Sequence, residues 1–173
     1  MGQRPEVLLI ACSDSRVDPA ILTNAEPGEM FVIRNVANLV PPYEPDENYH
    51  GTSSAIEFAV RDLKVRDIVI LGHSACGGME ALVEHGEAGK VPDRDFIGEW
   101  VSIAKCCLEH GPDVDKVSRH SIRNSLQNLM SFPFIKERVE AGDLKLHGWW
   151  YGMKEGILWR FDAEQDKFVQ GEE

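Results

Sequence analysis

Val7-Leu8-Leu9-Ile10-Ala11 runs without a polar break into Cys12-Ser13-Asp14-Ser15-Arg16. A short apolar run behind Pro5 and ahead of a polar cluster reads as a strand buried on both faces. Residues 12–16 then form the loop at its carboxyl end, which is where open parallel sheets bind ligands. A thiol, a carboxylate and a guanidinium within five residues serve chemistry better than they serve packing.

A second stretch matches the first. Ile68-Val69-Ile70-Leu71-Gly72 is again apolar and β-branched, and it ends in His73-Ser74-Ala75-Cys76-Gly77-Gly78. His-x-x-Cys lets two side chains reach one ion from a single turn. If the two strands are parallel neighbours, Cys12 joins His73 and Cys76 at the same place. Two thiolates and an imidazole suit Zn2+, and three protein ligands with an open fourth position mark a catalytic site. Read singly, each of these residues also fits a plain buried role. Asp14 and Arg16 also fit a structural ion pair.

Together the motifs resemble the β-class carbonic anhydrases. Cys12-x-Asp14-x-Arg16 and His73-x-x-Cys76-Gly77-Gly78 carry the likeness. It continues through Glu26-Pro27-Gly28-Glu29, Arg34-Asn35-Val36-Ala37-Asn38, Ser54-Ala55-Ile56-Glu57-Phe58 and His147-Gly148-Trp149. Val40-Pro41-Pro42-Tyr43 and the unbroken 72–78 stretch point to the plant-like branch. The resemblance implies zinc-dependent, reversible hydration of carbon dioxide by attack of zinc-bound hydroxide. Cys12, His73 and Cys76 would be the ligands. Asp14 would orient the nucleophile while Arg16 keeps it off the metal. Asp14 would become a fourth ligand only in a closed state.

By the same resemblance, Gln3 and the Gly77 N–H would hydrogen-bond bicarbonate. Phe31, Val36 and Phe58 would form the apolar wall for carbon dioxide. The plant-like members tend to have Tyr where Phe58 stands and His where Asp62 stands, so proton exit here has to use other groups. Leu9 replaces a Trp that builds a regulatory bicarbonate pocket in bacterial members, and no such pocket is expected. Two other readings share the scaffold: a carbonyl sulfide or carbon disulfide hydrolase, and a non-catalytic bicarbonate-binding homologue. The intact 12–16 loop and the plant-like flanks favour the carbonic anhydrase reading.

With 173 residues, 43% hydrophobic and 27% charged, the sequence reads as one domain able to bury a core. Strand-like segments alternate with helical ones, which argues for an α/β fold. The resemblance refines this to a mostly parallel sheet in order 2-1-3-4 with an antiparallel edge strand, flanked by helices. It also implies a homodimer or a dimer of dimers with sites at the interface. The helical segment that usually precedes the first strand in the family has no counterpart in the sequence.

A net charge of −11 argues against nucleic acid and against anionic membranes as partners. No apolar run reaches the length of a membrane span and no signal peptide precedes the first strand. Four cysteines with no disulfide pattern suit the cytoplasm. Cys106 and Cys107 read as buried small side chains, and Phe96–His110 as one helix. His50, His85, His110 and His120 read as solvent-facing, His147 as a structural histidine, and Asp162–Glu173 as an acidic tail loose at its end.

Overall fold

The computed structural model describes residues 2–86 and 94–171. Six strands form one sheet in the order β2-β1-β3-β4-β5-β6. They are β1 (Val7–Cys12), β2 (Met30–Asn35), β3 (Asp67–His73), β4 (Lys145–Gly152), β5 (Ile157–Asp162) and β6 (Lys167–Gln170). The first four are parallel, in the expected 2-1-3-4 order, and β5 and β6 add antiparallel edges. The helices are α1 (Pro19–Thr23), α2 (Gly51–Glu57), α3 (Gly77–Gly86), α4 (Ile97–Ser102), α5 (Val114–Leu129) and α6 (Pro133–Glu140).

The middle strands are buried on both faces, as an unbroken apolar run requires. Leu8, Ile10, Ile68 and Ile70 face Ile56, Val60, Ile122, Leu129 and Ile135. Leu9, Ala11, Val69 and Leu71 form the opposite face with Leu22, Trp149 and Tyr151. A third cluster sits at the carboxyl ends of the strands, where Cys12 and Cys76 meet Val17, Met79, Leu82, Val101 and Val117.

Helix α5 lies close on the sheet because two glycines make room for it. A Cβ at Gly72 would meet Ile122 Cδ1 at 2.8 Å, and one at Gly148 would meet Ile122 Cγ2 at 2.8 Å. The helix turns three buried serines toward this contact, and each is satisfied. Ser118 Oγ donates to the His73 carbonyl at 3.0 Å, Ser121 Oγ donates to the Ser118 carbonyl at 2.8 Å, and Ser125 Oγ accepts the Val40 N–H at 3.2 Å.

Several expectations need correction. The acidic tail carries a strand that the sequence reading left out, because β6 pairs with β5. Asp162 turns the chain by accepting the N–H groups of Glu164 and Gln165, and the Phe161 and Phe168 rings pack across the pair at 5.5 Å. Phe96–His110 is not one helix. It breaks after α4, where Asn124 Nδ2 donates to the Ile103 carbonyl at 3.0 Å, and resumes as a 3₁₀ segment at Lys105–His110. The helix begun by α2 widens into a π segment at Phe58–Asp62. Cys107 is buried as expected, but Cys106 is exposed. His110 is exposed as expected and His120 is half-buried, and their rings stack with centroids 3.4 Å apart. The loop expected at Glu87–Asp95 falls largely outside the described residues.

Gly148→Ala forces a methyl against Ile122 and Leu126, so it should cost roughly 1–3 kcal/mol of stability. Urea unfolding of the two proteins measures this directly. An unshifted midpoint would mean that α5 can stand off from the sheet.

Candidate metal centre

Parallel pairing sets Ala11 opposite Leu71, so β1 and β3 end side by side. This is the point where the chain order reverses direction across the sheet, the usual crevice of an open α/β fold. Cys12 closes β1, His73 closes β3 and Cys76 stands at the entry to α3. All three side chains are buried, at 5%, 0% and 1% exposure. Their ligand atoms lie within 4.8 Å of one another.

The histidine is committed to one tautomer. His73 Nδ1 lies 2.8 Å from the Ser74 carbonyl, which can only accept, so Nδ1 carries the hydrogen. Nε2 is then a bare lone pair aimed at the sulfurs, buried and without a hydrogen-bond partner. A buried donor atom left unpaired costs free energy unless something fills the place beside it. Two sulfurs and a bare imidazole nitrogen fit zinc, and fit oxygen-seeking cations poorly.

The thiols differ. The neighbouring Cys76 thiol and the backbone N–H groups of Asp14 and Ala37 lower the Cys12 pKa against the opposing effect of burial. The same contact with Cys12, together with burial, raises that of Cys76. Of the two, Cys12 is the more readily ionised.

Asp14 stands next to this group under the control of Arg16. Arg16 Nε donates to Oδ1 at 2.9 Å, Nη2 donates to Oδ2 at 2.6 Å, and the Arg16 backbone N–H donates to Oδ1 at 2.9 Å. The two-pronged contact holds the Asp14 carboxyl well below the usual carboxylate range. Asp14 Oδ2 is 4.0 Å from His73 Nε2, near the group but not bonded to it.

Backbone contacts hold the two loops that carry these residues. Arg34 of β2 donates from Nε to the Cys12 carbonyl at 3.0 Å and from Nη2 to the Asp14 carbonyl at 2.6 Å. Ala37, left-handed at φ 65°, points its N–H at Cys12 Sγ at 3.3 Å. Ser118 Oγ, which binds the His73 carbonyl, also accepts the Trp150 Nε1–H at 3.2 Å. Ser74 N donates to the Tyr151 carbonyl at 3.0 Å, and Ser74 Oγ accepts the Met153 N–H at 2.9 Å. Ala75, left-handed at φ 49°, donates its N–H to Asp115 Oδ1 at 2.8 Å and accepts Arg16 Nη2 at 3.2 Å.

Of the residues picked out in the sequence, Cys12, His73, Cys76, Asp14 and Arg16 come together. Gly77 follows Cys76 directly, and Val36 adjoins Ala37 and packs over Gly78. Gln3, Phe31 and Phe58 do not join them within one chain. Phe31 pairs with Leu8, four residues before the Cys12–Asn35 pair, which is about 13 Å back along the strand. Phe58 stacks near Phe31 with ring centroids 5.9 Å apart, and Gln3 is exposed ahead of β1. His147 is a structural histidine as expected, with Nε2 2.7 Å from Asp67 Oδ1.

Sequence reasoning gave no role to Arg34, Asp115 or Ser118. A charge at the end of the apolar β2 run was a usable signal for Arg34. Asp115 in a helix's first turn looks like an ordinary dipole complement, and nothing marks Ser118.

Because zinc takes cysteine as the thiolate and Cys76 is pushed toward the neutral thiol, uptake of zinc should release at least one proton per ion near neutral pH, and affinity should rise with pH. Calorimetric titration in buffers of different ionisation enthalpy counts these protons. A count of zero would contradict the thiol pair described above.

The carbonic anhydrase family profile matches residues 7–158. The chain is 42% identical to β carbonic anhydrase 5, chloroplastic, of Arabidopsis thaliana, over 87% of this chain and 52% of that protein. It thus spans about half the length of that relative. Among solved structures, the β-carbonic anhydrase CcaA superposes with a TM-score of 0.88 at 34% identity, covering 98% of this chain and 85% of that one. A tetrameric β-carbonic anhydrase of Sordaria macrospora gives 0.80 at 29%, covering 94% and 83%. The profile match across the site and most of the sheet, with these likenesses, places the chain in the β-class carbonic anhydrase family.

Proposed function

We propose that the protein is a carbonic anhydrase that interconverts carbon dioxide with bicarbonate and a proton, using zinc held by Cys12, His73 and Cys76. The observation that carries this reading is a buried Cys-His-Cys group with a bare Nε2, beside a carboxylate kept ionised by its own arginine. When bound, zinc supplies Lewis acidity that brings the pKa of a water from roughly 15.7 to about 7. The chain's own residues then decide what that water does. Asp14, ionised and unable to donate, accepts the hydrogen of the attacking oxygen and so fixes which lone pair faces carbon dioxide. Arg16 occupies both Asp14 oxygens and prevents the carboxylate from taking the nucleophile's place.

Val36 lines the site with apolar surface suited to a small uncharged gas. The Gly77 N–H would donate to a bicarbonate oxygen. Gln3, Phe31 and Phe58 complete the pocket only if a second copy brings them. Among the described residues β2 ends the sheet, and the exposure of Val32, Val36 and Phe58 at 41%, 39% and 44% supports such a pairing. The working unit is therefore a homodimer, or a dimer of dimers as in the tetrameric relative, with residues 1–173 as one domain of each subunit. Among the described residues no helix is long and apolar enough to cross a membrane. A site that needs both thiols reduced suits the cytoplasm.

Stopped-flow measurement of carbon dioxide hydration tests the activity. Zinc-loaded protein should turn over, a strong chelator should abolish the rate, and added zinc should restore it. A rate indistinguishable from buffer, or a preference for carbonyl sulfide, would sink the reading. A second outcome concerns the gate. Arg16→Ala should release Asp14 to bind the metal, abolishing turnover while zinc stays at one per chain. Metal analysis with a crystal structure of the variant checks both halves, and a fourth position still open to water would contradict the role given to Arg16.

A further inference from the structure

Asp115 reaches out of its helix toward a single backbone group. Its own N–H is taken up by Asp113 Oδ1 at 3.0 Å, within the capping arrangement that starts α5. Its carboxylate turns away from the helix and accepts the Ala75 N–H at 2.8 Å. Ala75 is an exposed residue in the left-handed region, where a Cβ crowds the following carbonyl and glycine is the ordinary occupant. Held in that conformation, Ala75 turns its N–H to α5 and its carbonyl to Arg16 Nη2 at 3.2 Å. The same nitrogen donates to Asp14 Oδ2 at 2.6 Å. The next residue along the chain is Cys76.

We infer that Asp115 is a positioning residue: by holding the Ala75 peptide in its left-handed turn it aims Cys76 at the metal and fixes Arg16 against Asp14. One hydrogen bond from α5 thereby sets both a ligand and the arginine that restrains the carboxylate. The inference deepens the metal-site reading above and rests on it. The plain alternative is an acid in the first helical turn that complements the helix dipole. That role changes stability but leaves the geometry at Cys76 and Arg16 alone.

The test compares the full chain with D115A, D115N and the double variant A75G/D115A. Zinc affinity is read by competition with a chromophoric chelator. Cobalt(II) loaded in place of zinc reports ligand geometry through its ligand-field and thiolate charge-transfer bands. D115A should bind zinc about 10–100-fold more weakly and shift the cobalt bands, the usual scale for losing a group that orients a ligand. D115N, whose amide oxygen still accepts, should fall between. In A75G/D115A the glycine takes the turn unaided, so affinity and spectrum should return most of the way.

Wild-type zinc affinity and an unchanged cobalt spectrum in D115A overturn the inference, whatever happens to thermal stability. So does a double variant no better than D115A. If D115A does not fold, D115N decides by the same two measurements, and wild-type values there overturn the inference. A parent protein that binds no zinc removes the metal-site reading itself, which separates the two failures.

Discussion

The pairing of β1 with β3 is the contact on which the site depends. Neither strand holds a complete ligand set: one ends in a cysteine, the other in a histidine with a second cysteine three residues on. Five parallel register positions, from Val7–Asp67 to Ala11–Leu71, bring those ends level. A slip of one residue would turn Cys12 to the opposite face of the sheet and break the group. The register is protected because both faces of both strands are buried, so a slip would exchange one packed face for the other along its whole length.

The site is also a place of local conflict between residue and backbone. Ala37, Asn38 and Ala75 are non-glycine residues in the left-handed region, and all lie in the two loops around the sulfurs. Such positions cost of order 1–3 kcal/mol each and persist only where the surroundings over-determine them. Here the surroundings are visible. The Ala37 N–H meets Cys12 Sγ, Asn35 and Leu39 close the intervening turn on each other at 2.8 and 2.9 Å, and Ala75 is fastened at both its N–H and its carbonyl. The fold places strain where backbone groups must be aimed, and uses charged side chains from distant elements to maintain it.

Much of this was legible in the sequence. Unbroken β-branched runs announced the central strands, because a strand buried on both faces has no polar alternation to hide it. Cys12, Asp14, Arg16, His73 and Cys76 were legible because reactive residue types directly follow such runs. Asp18 followed by Pro19 is a local start signal for α1, and the Asp18 carboxylate caps it. What stayed hidden depends on contacts between distant segments. The break in the helix after α4 is made by Asn124, from another helix. β6 is short and polar at both ends, and its signal is only the spacing of Phe161 and Phe168. Ser118 and Asp115 serve the site through backbone atoms of residues more than thirty positions away, and no local pattern carries that information. Phe31 and Phe58 stack near each other, but a single chain keeps them away from the sulfurs.

Because Cys12 and His73 lie roughly sixty positions apart, an ion gripped by both would act as a stitch across the chain. Closing so long a loop in the unfolded state is entropically costly, with a penalty that grows with the logarithm of its length. Binding energy spent at this point is therefore spent on folding as well. The metal would staple the first strand to the third and couple the protein's lifetime to its supply of cation. A cell short of that cation would lose more than the reaction, since the empty chain would be the one more exposed to proteolysis.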